Sequence, residues 1–263
     1  MTSSEQTTTG VDRIASAFAS HGKRAALMPY LMGGYPSLDE SRAIGLACAD
    51  AGADLVELGV PFSDPLADGP VIHAAATEAL EAGVTPLWVL EVCAALSERL
   101  PVVLMAYANL VLGHTGFLDR AVAAGAAGVI VPDLPHDEAA SLRADCDERG
   151  IALVPLAAPT STDERMAEIG ADARGFVYTV SLTGTTGERD ALPPALERTV
   201  ERVRAAANVP VAVGFGISTP EQAAAVGEVA DGVIVGSRLV RAAGEGGADA
   251  VGDLVHGLAS ALT

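Results

Sequence analysis

Three features of the sequence predict an α/β chain folded as a single-domain (β/α)8 TIM barrel with an extra N-terminal helix. Eight short apolar runs recur, near residues 25–32, 54–59, 101–106, 128–132, 151–156, 175–180, 209–213 and 231–235. Between them lie helical patterns with apolar positions three and four apart, as in "SRAIGLACADAGA" and "DEAASLRADCDERG". The length of 263 residues suits eight such units in one domain. No linker rich in Ser, Pro or Gly divides residues 11–263, which are expected to form one barrel domain. An open doubly wound sheet is the alternative. It more often uses fewer strands and a glycine-rich turn after the first, whereas "LMGGYPS" contains no GxGxxG.

In chain order, "MTSSEQTTTG" is polar and lacks a basic start followed by an apolar core, so residues 1–10 read as a flexible tail and not as a secretory signal. The strand units then repeat one signature, seen in "AGADLVELGV", "AGAAGVIVPD", "GADARGFVYTVS" and "VADGVIVGS". Small residues end a helix, and a β-branched run begins a buried parallel strand. In the second run Leu55, Glu57 and Gly59 share one face and Val56, Leu58 and Val60 the other. The wholly apolar set should face the helices, which turns Glu57 into the barrel mouth. The uncharged stretch 101–118 approaches membrane-span length, but Pro101, Asn109, Gly113, His114 and Gly116 mark it as a strand and a loop. Glycine sites follow the late runs: "TGTTG" at 183–187, "GFG" at 214–216 and "GS" at 236–237, just before the helical "RLVRAA".

Composition narrows the chemistry. Half of the residues are hydrophobic and 19% are charged, which suits a compact cytoplasmic enzyme and argues against disorder. The 34 acids against 16 bases give a net charge of −18, a field that repels nucleic acid and anionic membrane, so neither is an expected partner. Cys48, Cys93 and Cys146 are odd in number, widely spaced and on helical patterns, and read as buried thiols in a reducing compartment. Lys23, the only lysine, precedes the first strand, which argues against a Schiff-base aldolase or a pyridoxal enzyme. The histidines show neither HxH nor HExxH, and there is no GxSxG elbow, so no metal or cofactor is expected. What remains is acid/base chemistry by carboxylates, with Tyr178 near the end of the sixth strand.

Barrel active sites lie at the C-terminal ends of strands and in the loops that follow, where "ELGVPFSDPLADGPVI" places Glu57, Asp64 and Asp68. Partial desolvation of Glu57 would raise its pKa and let it exchange a proton near neutrality; the plainer reading is a structural Glu paired with an Arg or with backbone amides. Asp64 and Asp68 lie among prolines ahead of "VIHAAATEAL", as turn or cap residues or as a second acid within reach of Glu57. The glycine sites fit a phosphate held on backbone N–H groups, with plain tight turns as the alternative. A phosphate monoester is the substrate class these features favour.

Six stretches, "ADLVELGVPFSDPLADGPVI", "MAYANLV", "GVIVPDLPHDEA", "GFVYTVSLTGTTGER", "VPVAVGFGIS" and "ADGVIVGSRLV", closely resemble tryptophan synthase alpha subunits, with matching segments over about residues 27–240. The resemblance implies a lyase of tryptophan biosynthesis that cleaves indole-3-glycerol phosphate, by a retro-aldol reaction, to indole and glyceraldehyde 3-phosphate. It implies that Glu57 protonates indole C3 and removes the side-chain hydroxyl proton, that Asp68 accepts the indole N–H, and that Tyr178 stands beside the glutamate. Phosphate would lie on amides around Gly187, Gly216, Gly236 and Ser237, and the indole against Tyr30, Met105, Ile130 and Phe215. Pro61 and Asp64 become contacts for a beta subunit in an alpha2-beta2 complex, and Thr186 a lid residue bridging to Asp68. The family implies no cofactor in this chain and pyridoxal phosphate in the beta subunit. One departure is "LMGGYP" at 31–36, where members commonly have Thr-Ala-Gly and this chain has Met32. A free-standing lyase and a mainly regulatory partner of the beta subunit stand as alternatives.

Overall fold

Nine short parallel strands occupy the predicted runs: β1 (Ala26–Met32), β2 (Val56–Gly59), β3 (Val102–Met105), β4 (Ala126–Ile130), β5 (Ala152–Leu153), β6 (Leu156–Ala157), β7 (Val177–Val180), β8 (Val211–Gly214) and β9 (Gly232–Val235). The computed structural model describes residues 8–180, 195–214 and 216–263. The fifth run, expected as one strand over 151–156, is two strands split at Val154 and Pro155. Val154 N–H donates to the Val129 carbonyl beside β4, while Pro155, which has no N–H, accepts from Tyr178 N–H on β7, both at 2.9 Å. The chain thus changes neighbour in mid-run. Because β5 and β6 are the two ends of the order β5-β4-β3-β2-β1-β9-β8-β7-β6, that change brings the sheet back on itself. The barrel closes, and the open doubly wound alternative falls away.

Strand alternation divides the apolar residues into two layers. Val56, Leu58 and Val60 pack under the helices with Leu27, Leu104 and Val213. Ala26, Met28, Leu55, Val103, Ala212 and Ile234 fill the barrel interior. Glu57 has the parity of the interior set, as its place between Val56 and Leu58 predicts.

One end of the interior is plugged by the extra helix, Gly10–Ser20, which a Thr9–Asp12 capping box starts. Its Ile14 is fully buried in the interior cluster, and the Phe18 ring lies 5.7 Å from Phe176. Gly10 donates to the Gly150 carbonyl at 2.8 Å, and a Cβ at this glycine would run into the Ala127 backbone. The helix meets the starts of β4 and β5, so it seals the N-terminal mouth and leaves the C-terminal mouth for the site. Of the expected tail over 1–10, residues 1–7 lie outside the described residues.

Among the described residues, two connections carry two α-helices each instead of the one of simple alternation. Pro70–Glu81 and Pro86–Ser97 join β2 to β3, and Ala108–Gly113 and Phe117–Ala123 join β3 to β4. Cys48, Cys93 and Cys146 are free, buried thiols on helices. Lys23 is held at 2.8 Å by Asp54, and its Nζ donates to the Gly52 carbonyl, ahead of β1 and away from the C-terminal mouth.

Candidate active site

The C-terminal mouth holds a cavity of about 250 Å³ whose lining includes Glu57, Asp68, Tyr30, Tyr178 and Met105, together with Gly216, Gly236 and Ser237. Each comes from a strand end or the loop or helix start after it. Glu57 lies on β2 between Tyr30 of β1 and Val103 of β3, and is 1% exposed. Neither carboxylate oxygen has a hydrogen-bond partner among the described residues, so the structural ion pair or amide cradle weighed from sequence does not form there. Burial, and then the charge of Asp68, push its pKa up to about 8.

Asp68 stands half-buried at the end of the loop after β2. Gly69, not Asp68, is the N-cap of Pro70–Glu81, and no side chain caps that helix, so the cap reading does not apply to Asp68. Burial raises its pKa to about 6, against the lowering effects of a hydrogen bond from Tyr107 and the charge of His73. Near neutral pH Glu57 therefore carries a proton and Asp68 is largely ionised.

Tyr107, just after β3, ties the Asp68 loop down. Its hydroxyl accepts Ala67 N–H at 3.0 Å and lowers the pKa of the Asp68 carboxyl, and its ring stacks on Phe62 of the same loop at 5.1 Å. The next residue, Ala108, donates its N–H to Asp133 in the loop after β4 at 2.8 Å. Three loops are thereby joined around the acid.

Tyr30 and Tyr178 are buried, and burial first, with the charges of Asp68 and Glu57 added, keeps both hydroxyls protonated far above neutral pH. Each ring is accommodated by a glycine on a neighbouring strand. A Cβ at Gly59 would strike the Tyr30 hydroxyl, and one at Gly214 the Tyr178 hydroxyl.

The lower-polarity wall differs in part from expectation. Met105 lines the cavity, but Ile130 does not. It is 0% exposed and packs in the barrel interior among the cluster that includes Val103 and Phe176. Ile72, Pro132, Leu156 and Ile234 supply apolar wall that the sequence did not single out. Met32 packs with Tyr30, Ala75, Ala76 and Val240 and is not among the lining residues.

Gly216, with φ 76°, follows β8, and Gly236 is the N-cap of the helical segment Ser237–Ala261, which is broken at Gly247; Gly236 and Ser237 line the cavity, so the first turn of that segment, where an anion is favoured, borders it. Thr186, Gly187 and Phe215 lie outside the described residues. Pro61 is buried within this chain, while Asp64 is exposed and accepts the Ser63 hydroxyl at 2.6 Å. Neither lines the cavity.

A family model described as tryptophan synthase alpha chain matches residues 17–257. A protein of Synechococcus sp. (strain CC9902) named tryptophan synthase alpha chain is 50% identical over 223 residues, 83% of each chain. One of that name from Synechococcus elongatus is 46% identical over 259 residues, 97% of each chain. Among solved structures, Mycobacterium tuberculosis tryptophan synthase is similar at a TM-score of 0.90 and 40% identity, over 95% of this chain and 98% of that one. Tryptophan synthase subunit alpha from Legionella pneumophila is similar at 0.87 and 35%, over 97% and 99%.

Proposed function

The chain belongs to the tryptophan synthase alpha chain family, and on that premise we propose how its cavity divides the work of the family's reaction, the cleavage of indole-3-glycerol phosphate to indole and glyceraldehyde 3-phosphate. The observation that carries the proposal is a fully buried, unpartnered Glu57 beside a more exposed Asp68. Two carboxyl groups with pKa values pushed apart can take opposite roles at one pH.

Glu57 begins protonated and gives its proton to indole C3. Positive charge then develops at the ring nitrogen, whose N–H the Asp68 carboxylate accepts and stabilises. The Glu57 carboxylate next takes the proton of the hydroxyl on the carbon attached to C3. As that oxygen becomes the aldehyde, the bond from C3 to the carbon breaks and its electron pair returns to the ring. Indole leaves neutral, and Glu57 ends with a proton, ready for another turnover. Tyr178 and Tyr30, held neutral, serve as hydroxyl donors beside the reacting atoms, Met105 bounds the indole, and Gly216, Gly236 and Ser237 bear the phosphate.

A beta-subunit partner follows from the family. For the docking face we take the loop after β2, where Asp64 is exposed and Leu66, at 93%, is the most exposed of the large hydrophobic side chains among the described residues. Buried Pro61 would shape that loop from beneath. We assign an alpha2-beta2 assembly in the cytoplasm, with pyridoxal phosphate in the beta subunit. No helix among the described residues is by itself long and apolar enough to cross a membrane.

Indole release from indole-3-glycerol phosphate, followed against pH with and without a beta subunit, tests this function. The rate should fall below about 6 as Asp68 takes up a proton and above about 8 as Glu57 loses one. No indole from the chain in either setting would refute it.

A further inference from the structure

The cavity presents a charge imbalance. Glu57 and Asp68 bring two carboxyl groups to it, the chain as a whole carries −18, and the substrate read for this site ends in a phosphate dianion. Backbone amides at Gly236 and Ser237 offer partial charges only. Arg238, the second residue of Ser237–Ala261, is the one cationic side chain among the described residues that line the cavity. It is half-buried and adjoins Ser237.

Of the arginines that make no ion pair with a described residue, Arg42, Arg120 and Arg198 are exposed and Arg13 donates to backbone carbonyls, whereas Arg238 is half-buried at the cavity. Arg143, Arg165 and Arg202, on helices of the same barrel, each hold an aspartate within 3.0 Å, at Asp172, Asp137 and Asp163. Arg238 makes no ion pair with a described residue. In a chain with 34 acids and 16 bases, a cation beside a cavity without such a partner is placed to meet an anionic ligand. Glu57, buried without a hydrogen-bond partner in the same lining, independently marks the cavity as one that a ligand completes.

We propose that Arg238 is a phosphate-binding residue: its guanidinium contacts the phosphate end of the substrate beside the amides of Gly236 and Ser237, and selects phosphorylated over unphosphorylated ligands. The proposal rests on the reading of the cavity given above. The contact is made equally in the bound substrate and in the transition state, since the phosphate is remote from the bond that breaks. Arg238 therefore acts on KM more than on kcat.

The test uses the full chain with its beta subunit and the variants Arg238→Gln and Arg238→Lys. Steady-state indole release gives KM and kcat, and calorimetry gives the affinity for glycerol 3-phosphate and for indole as probes. Arg238→Gln should raise KM and weaken glycerol 3-phosphate binding by about 10-fold or more, change kcat by less than about 2-fold, and leave indole binding as in the wild type. Arg238→Lys should recover part of the loss, because it keeps the charge without the planar fork. Unchanged KM and unchanged glycerol 3-phosphate affinity in Arg238→Gln would overturn the proposal. If the wild-type chain releases no indole, the functional reading fails, and the calorimetric comparison still decides whether Arg238 binds phosphate.

Discussion

Glu57 is held in a place that suits the proton transfer proposed for it and burdens the fold. In the folded chain it keeps its proton up to about 8, against an ordinary value of 4.5. Between those values the unfolded chain gives up the proton and the folded chain retains it, so this residue's contribution to stability is full below 4.5 and is lost as pH rises through 8. Glu57→Gln has nearly the same shape and no charge to desolvate. It should therefore raise stability by on the order of 2–4 kcal/mol at pH 8, with the gain shrinking toward pH 5. Thermal melts of the two proteins across that range check this, and equal melting temperatures throughout would contradict the assigned environment. The residue's direction was legible because alternation along "LVELGV" is a local property of a strand. Its lack of partners was not, since that depends on every element around the mouth.

At the scale of elements, the loop after β2 is organised by Tyr107. The hydroxyl group that anchors Ala67 also lowers the Asp68 pKa, and it comes from a residue 40 positions along the chain from Ala67. Such a pairing leaves no trace in a local pattern, which is why "MAYANL" did not disclose Tyr107 as part of the site. Tyr107→Phe keeps the stack on Phe62 and removes the hydroxyl that accepts Ala67 N–H and lowers the Asp68 pKa. Loss of the hydroxyl that lowers the Asp68 pKa should move the acid limb of kcat/KM upward by about half a pH unit to one unit, with a rate loss near pH 6.5 of about 1.5- to 3-fold. An acid limb at its wild-type position would show that Tyr107 does not set the state of Asp68. Ile130 illustrates the complementary limit. Its parity correctly turns it inward, but height within a barrel is fixed by the stagger of neighbouring strands, which parity does not encode. It is therefore interior packing where a cavity wall was expected.

For the whole molecule, closure depends on a step that was visible only in part. Pro155 could be read in "ALVPLA", yet its effect, a run that pairs with β4 first and β7 afterwards, requires both neighbours to be known. The count of eight β-runs was legible because each is a short apolar run between helical patterns, and four of them carry the same change from small helix-ending residues to a β-branched run. With the N-terminal mouth plugged by Gly10–Ser20, the acids, the tyrosines and the glycines proposed to bind phosphate converge on the opposite mouth, beside the exposed loop proposed to meet the beta subunit. The proposed chemistry and the proposed partner contact thus share one surface, and a variant that removes the first while keeping the second separates them. The measurement is indole release from indole-3-glycerol phosphate by Glu57→Gln assembled with the beta subunit, alongside the beta reaction fed with free indole. The account predicts a loss of indole release of about 1,000-fold or more with the beta reaction still stimulated; indole release at the wild-type rate would contradict it.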